Sequence, residues 1–144
     1  MLGLPIKSVI EPRKLVVAGP DTSVSEAARL MKEGKVGALL VVEGGLLIGI
    51  FTERDALFRV MAGGLDPDST LLRDVMTRDP TTVTPDESFG YALLLMHENG
   101  FRHAPVVEQG RPVGVVSARH ALDPDLEEFT AEAERRKAIR RKPA

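Results

Sequence analysis

The stretch Gly49-Ile50-Phe51-Thr52-Glu53-Arg54-Asp55 returns 65 positions later as Gly114-Val115-Val116-Ser117-Ala118-Arg119-His120. That period exceeds the roughly 20 to 50 residues of solenoid repeats, so each copy is expected to be a supersecondary unit of its own. The same offset matches Pro20 with Pro85, Asp21 with Asp86, Ser23 with Ser88, Ala27 with Ala92, Met31 with Met96, Val41 and Val42 with Val106 and Val107, and Gly45 with Gly110. Shared helix or strand patterning reproduces apolar classes, but not this many identities without a gap. The chain reads as an internal duplication. The break that matters chemically is the replacement of Asp55 by His120.

With 144 residues the chain has the size of one domain. Half of it would bury too little surface to be stable alone, so the copies are expected to share a core. Hydrophobic residues make up 43% and charged residues 28%, with a formal net charge of −2. This ordinary globular balance gives no reason to expect nucleic acid as a partner. The absence of cysteine excludes disulfides, thiolate metal ligands and a cysteine nucleophile. No apolar run approaches the roughly 20 residues that span a bilayer, and residues 1–17 lack the apolar segment of a signal peptide. The expectation is a cytoplasmic protein without membrane contact.

Each copy predicts the order strand, helix, hairpin, helix. In the first, residues 15–18 are a short apolar run. Ser23 with Glu26 forms a capping-box signature, and Val24, Ala27, Ala28 and Met31 recur at helical spacing up to a stop at Gly34. Two apolar runs, 38–42 and 46–51, flank Glu43-Gly44-Gly45 as a hairpin, and a helix is expected from Thr52 to about Met61. The second copy predicts a strand at 81–83, a helix at 88–98, a hairpin around Glu108-Gln109-Gly110 and a helix after Ser117. The divisions expected are 1–65, 66–123 and a charged tail, 124–144. Leu126, Phe129 and Ala133 make a narrow apolar stripe on a C-terminal helix there.

Thr52 and Ser117 each follow an apolar strand and open a helix, where free backbone N–H groups and the positive dipole end suit a phosphate. Thr52 with Asp55 three residues on is equally a helix cap, and caps are the commoner use of such a pair. Arg54 and Arg119 sit in first turns where a cation opposes the dipole. Gly49 and Gly114 lie where a missing side chain permits close approach by another group. Both features point toward a ligand. Arg102 and His103 fit exposed strand-end residues as well as a site, and Met31 and Met96 fit a helix core face. The basic run in residues 135–142 follows Glu127, Glu128, Glu132 and Glu134 without interleaved aromatics, and reads as a solvated tail.

The pattern of glycine, two apolar residues, Thr or Ser, two residues and Asp, with Val75-Met76-Thr77-Arg78-Asp79-Pro80 between the copies, resembles the CBS domain, named for cystathionine beta-synthase. Residues 9–122 resemble a tandem pair, here a stand-alone Bateman module. The resemblance implies an α+β fold of two pseudo-twofold-related CBS units packed through their sheets, plus the C-terminal helix. It also implies two composite clefts for adenosine-containing ligands, in which the motif Asp binds ribose hydroxyls and the Thr or Ser binds phosphate. Carried onto this sequence, one cleft joins Ile50, Thr52, Arg54 and Asp55 to Thr77, Pro80, Thr81, Thr82, Phe101, Arg102, His103 and Pro105. Several arginines there favour a di- or triphosphate. The other joins Val115, Ser117, Arg119 and His120 to Leu15, Val16, Val36, Gly37, Ala38 and Leu40. It is the poorer cleft, because a neutral imidazole offers one acceptor where a carboxylate serves two hydroxyls.

The leading reading is a regulatory module that senses an adenine nucleotide of the AMP, ADP or ATP class and passes its occupancy to an unknown regulated protein. No cofactor is obligatory, and Mg²⁺ with the phosphates is left open. The resemblance implies a homodimer through the helices, with Phe58, Val60 and Leu94 as exposed apolar candidates. An enzyme is disfavoured: His97, His103 and His120 have no metal-ligand spacing, and no nucleophile with an adjacent base is evident. A structural or protein-interaction module with vestigial clefts is the alternative.

Overall fold

The computed structural model describes residues 2–122 and 135–139. Local chemistry sets its elements. Ser23 caps α1 (Val24–Gly34) by accepting from the Glu26 N–H at 3.1 Å. Val24, Ala27 and Met31 form its buried side. The left-handed residue that ends α1 is Lys35, with φ of 55°, not Gly34. A Cβ on Gly34 would lie 2.8 Å from Val16 Cγ2, so that glycine makes room for the neighbouring chain. Ser88 caps α4 (Phe89–Asn99) by accepting from the Tyr91 N–H at 3.1 Å, and Gly100 ends it.

Both hairpins form as predicted. β2 (Ala38–Glu43) and β3 (Leu46–Thr52) turn at Gly44 and Gly45, with φ of 61° and 80°. β5 (His103–Glu108) and β6 (Arg111–Ser117) turn at Gln109 and Gly110, with φ of 51° and 77°. Two positive φ angles match the twist of the flanking strands. Each hairpin carries an irregularity at the same point, Val41/Val42 and Val106/Val107. In the first sheet, β1 (Val17–Ala18) runs parallel to β2, and β4 (Thr77–Arg78) pairs antiparallel with β3.

Three elements differ from expectation. The strand expected at 81–83 is a single parallel bridge, Val83 to Val106, between prolines 80 and 85 that supply no N–H. The helix after Thr52 is one α-turn, α2 (Glu53–Asp55), which widens into a π-helical segment (Ala56–Met61). The segment after Ser117 is a 3₁₀ helix (Ala118–Leu122). Residues 135–139 are helical, whereas Leu126, Phe129 and Ala133 of the expected stripe lie outside the described residues.

Strand alternation divides the apolar residues between three clusters. Leu39 and Val41 face α1, where Val24, Ala27, Met31, Phe51 and Val60 close the first lobe. Val60 is therefore core, not the exposed residue expected. Ala38, Leu40 and Ile50 face the other way and meet Leu15, Leu47 and Val115 between the sheets. Phe89, Ala92, Met96, Ala104, Val106 and Val116 build the second lobe.

Each lobe is completed by the segment that leads into the other copy. Ile6 is fully buried in the second lobe. The Ile6 N–H donates to Glu87 O at 2.9 Å, and the Phe89 N–H to Leu4 O at 2.8 Å. Conversely, α3 (Leu72–Val75) packs Leu72, Val75 and Met76 into the first lobe. The repeat glycines sit at these crossings. A Cβ on Gly49 would come 2.5 Å from Met76 Sδ, and one on Gly114 would come 2.5 Å from Ile10 Cδ1. The close approach they permit is made by the chain itself, so they carry no argument for a ligand.

Candidate functional site

The strand–helix junction after β3 is a complete capping box. Thr52 Oγ1 accepts from the Asp55 N–H at 3.2 Å, and Asp55 Oδ2 accepts from the Thr52 N–H at 3.0 Å. Asp55 is 8% exposed, the one buried charged side chain among the described residues. Its Oδ1 lies 3.5 Å from Thr77 Oγ1 and 3.5 Å from Arg59 Nε. Arg54 lies with Cζ 5.4 Å from the Phe58 ring centroid, a cation–π contact that offsets its poor place in a first turn.

In front of this junction opens a cleft of about 1170 Å³. The first lobe contributes Ile50, Thr52, Arg54 and Asp55, the chain between the copies Thr77, Pro80 and Thr81, and the second lobe Phe101, Arg102 and His103. These are ten of the twelve residues expected there. Pro105 is instead buried within β5, and Thr82 is exposed. Ser117 and Arg119, expected in the second cleft, line this one too.

The lobes meet over Gly37. A Cβ there would fall 2.5 Å from Glu53 Oε1 and 3.2 Å from His103 Nε2, which places that acid and that imidazole side by side. Burial pushes the His103 imidazole below its ordinary value of 6.5; Glu53 opposes this, while Arg119, His120 and Arg102 reinforce it. Because the folded value is the lower one, the unfolded chain takes up the proton first as pH falls. The contribution of His103 to stability is present above about pH 6.5 and is lost toward its lower folded value. Thermal unfolding followed from pH 7 to pH 5 is expected to show the melting temperature falling, with a shallower fall in His103→Gln.

At the second junction, His120 Nδ1 accepts from the Ser117 N–H at 2.9 Å, taking the place that Asp55 Oδ2 has at Thr52. The ring also meets Phe89 edge-on at 6.5 Å. His120 thus preserves the cap. The walls expected for the second cleft are largely packed: Ala38 and Leu40 are buried with Leu15 and Val115 between the sheets, and Val16 packs against the first-lobe core.

The chain matches the family model of the CBS domain twice, over residues 6–62 and 72–125. It belongs to the CBS domain family. A CBS domain-containing protein of Arabidopsis thaliana, CBSCBSPB3, is 39% identical over 127 residues, 88% of this chain and 23% of that protein. The chain likewise covers 24% of CBSCBSPB2 from the same plant, so it spans about a quarter of these relatives. A crystal structure of a conserved protein from Pyrococcus horikoshii matches with a TM-score of 0.79 at 34% identity, over 87% of this chain and 94% of the other. The CBS domain protein PAE2072 from Pyrobaculum aerophilum, solved with AMP, has a TM-score of 0.74 at 24% identity, over 81% and 89%, and shows the shared fold.

The residues carried over from the CBS motif did not include Glu53, which lies inside it, or Phe58, Arg59, Asp79 and Gly100, which lie beyond it, and all five line the cleft. Arg59 carried a signal, since an acid and a base four apart on a helix are neighbours. A smaller hollow of about 490 Å³ lies between α1 and the helix after Thr52. There the second-cleft positions Val36, Gly37 and Arg119 are joined by Lys32 and Lys35, cations that strand-based reasoning did not bring near Gly37.

Proposed function

We propose that this CBS pair is a regulatory module whose larger cleft binds an adenosine-containing nucleotide of the AMP, ADP or ATP class. One observation carries the reading. A buried carboxylate, Asp55, shares a cleft with an apolar wall of Ile50, Pro80 and Phe101 and with Arg54, Arg102 and Arg119. A carboxylate can accept from a ribose diol, apolar groups can hold a base, and guanidinium groups bind phosphate in pairs of hydrogen bonds. The volume exceeds the roughly 300–1,000 Å³ of ordinary small-molecule sites, which accommodates a phosphate chain. The same fold holds AMP in the Pyrobaculum aerophilum protein. For this chain the ligand class rests on its own cleft residues. Among the described residues no cluster of His, Asp and Glu could hold a metal. Binding would act on an attached or separate partner by favouring one angle between the lobes. Homodimers would form through the exposed Phe58 and Leu94.

A second reading, a ligand-free interaction module, is favoured by the closed capping box, in which Asp55 already has partners. Melting the protein with AMP, ADP, ATP, S-adenosylmethionine, NAD and cyclic dinucleotides separates the two. A ligand at a hundred times its Kd adds about 2.7 kcal/mol of stability, and an adenine nucleotide is expected to raise the melting temperature accordingly. An unchanged melting temperature with every one of them would leave the second reading standing.

A further inference from the structure

Arg59 stands outside the repeated motif, yet it ties the carboxylate of the cleft to the backbone at the end of α3. Asp55 Oδ2 is taken up by the Thr52 N–H at 3.0 Å and the Thr52 hydroxyl at 3.2 Å. Oδ1 has only the two longer contacts, to Thr77 Oγ1 and Arg59 Nε, each at 3.5 Å. A carboxylate oxygen has acceptor sites to spare beyond such contacts. Oδ1 is therefore the atom left to receive a hydroxyl from the cleft.

Thr52 fixes one side of the carboxylate, and the charge that faces Oδ1 on the other side is a guanidinium anchored elsewhere. Arg59 Nη1 donates to Met76 O at 2.9 Å and to Val75 O at 3.3 Å, the carbonyls at the end of α3. The donors of a guanidinium form a rigid fork, so fixing Nη1 on two carbonyls also fixes the direction of Nε. Nε is thereby held beside Oδ1, 3.5 Å away, as an ion-pair partner. The side chain issues from the π-helical segment Ala56–Met61, a form that concentrates at functional sites.

We infer that Arg59, anchored on Val75 and Met76, positions Asp55 Oδ1 for a ribose diol and so sets a preference for ribonucleotides over their deoxy analogues. This rests on the nucleotide reading of the cleft. Arg59 is a positioning residue here: its donors are taken up by Val75 O, Met76 O and Asp55, so it acts through the carboxylate.

Calorimetric titration of the full chain with AMP and with 2′-deoxy-AMP tests the assignment. The unaltered protein should prefer AMP by about tenfold or more, the worth of one hydrogen bond to a charged group. In Arg59→Met the preference should collapse toward unity with 2′-deoxy-AMP affinity little changed. Arg59→Lys, which keeps the charge without the fork, should fall between. Half-exposed Arg59 is outside the core, and an apo melting curve confirms that each variant is folded. A wild-type preference retained in Arg59→Met, or equal weakening of both nucleotides, would overturn the assignment while leaving the cleft reading intact. Failure of the unaltered protein to bind either nucleotide would overturn both.

Discussion

Asp55→Ala is expected to lower the affinity for AMP by at least about a hundredfold, because two hydrogen bonds to a charged acceptor contribute about 1.5–3 kcal/mol each. The same change opens the capping box, since the Thr52 N–H loses its acceptor at 3.0 Å. Loss of a cap costs about 1 kcal/mol, so the apo protein should also melt earlier. The two effects can be told apart. His120→Ala removes the equivalent cap at Ser117, where Nδ1 accepts at 2.9 Å, and should cost similar stability while leaving AMP affinity unchanged. If isothermal titration finds Asp55→Ala binding AMP as tightly as the unaltered protein, Asp55 is a cap and nothing more.

The second large effect is on stability. Ile6 is fully buried among Val83, Phe89, Ala92 and Met96, although it stands more than 75 residues from each of them. Ile6→Ala should cost about 2–5 kcal/mol, the usual range for emptying such a site. Lys7→Ala is the control. The Lys7–Asp86 pair, 2.8 Å apart, is exposed on both sides and adds little, as surface ion pairs do. Urea denaturation of the two variants gives the comparison. A midpoint for Ile6→Ala close to that of Lys7→Ala would show that the leading segment does not hold the second lobe together.

How far the sequence reached depended on the range of the interactions. The hairpins were legible because Gly44-Gly45 and Gln109-Gly110 are local turn chemistry, and the caps at Ser23 and Ser88 because they span three residues. The exchanged segments were not legible. Periodicity marks Ile6 and Leu72 as apolar without saying which lobe will cover them. For the same reason Gly49 and Gly114 were legible as places of close approach, whereas the groups that approach, Met76 and Ile10, were not.

In the site, the residues carried over from the family resemblance largely gather in one cleft. Ser117 and Arg119 join it because the lobes meet over Gly37, a relation between surfaces distant in sequence. Arg59 shows its pairing with Asp55 in the four-residue spacing, but its anchoring contacts run to backbone carbonyls, which every residue possesses and no motif records.

The crossing of the two leading segments also bears on how such a chain arises. A single repeat carrying its own leading arm leaves its lobe open, and it can close that lobe only by trading arms with an identical neighbour. Fusing two such neighbours end to end keeps the trade and removes its dependence on concentration. Residues 2–10 and 71–78 are such arms, and here both belong to one polypeptide. The fold also tolerates Asp55 in one half and His120 in the other, because each accepts from the N–H that opens its helix. Once the partners share a chain, the two halves no longer have to be the same.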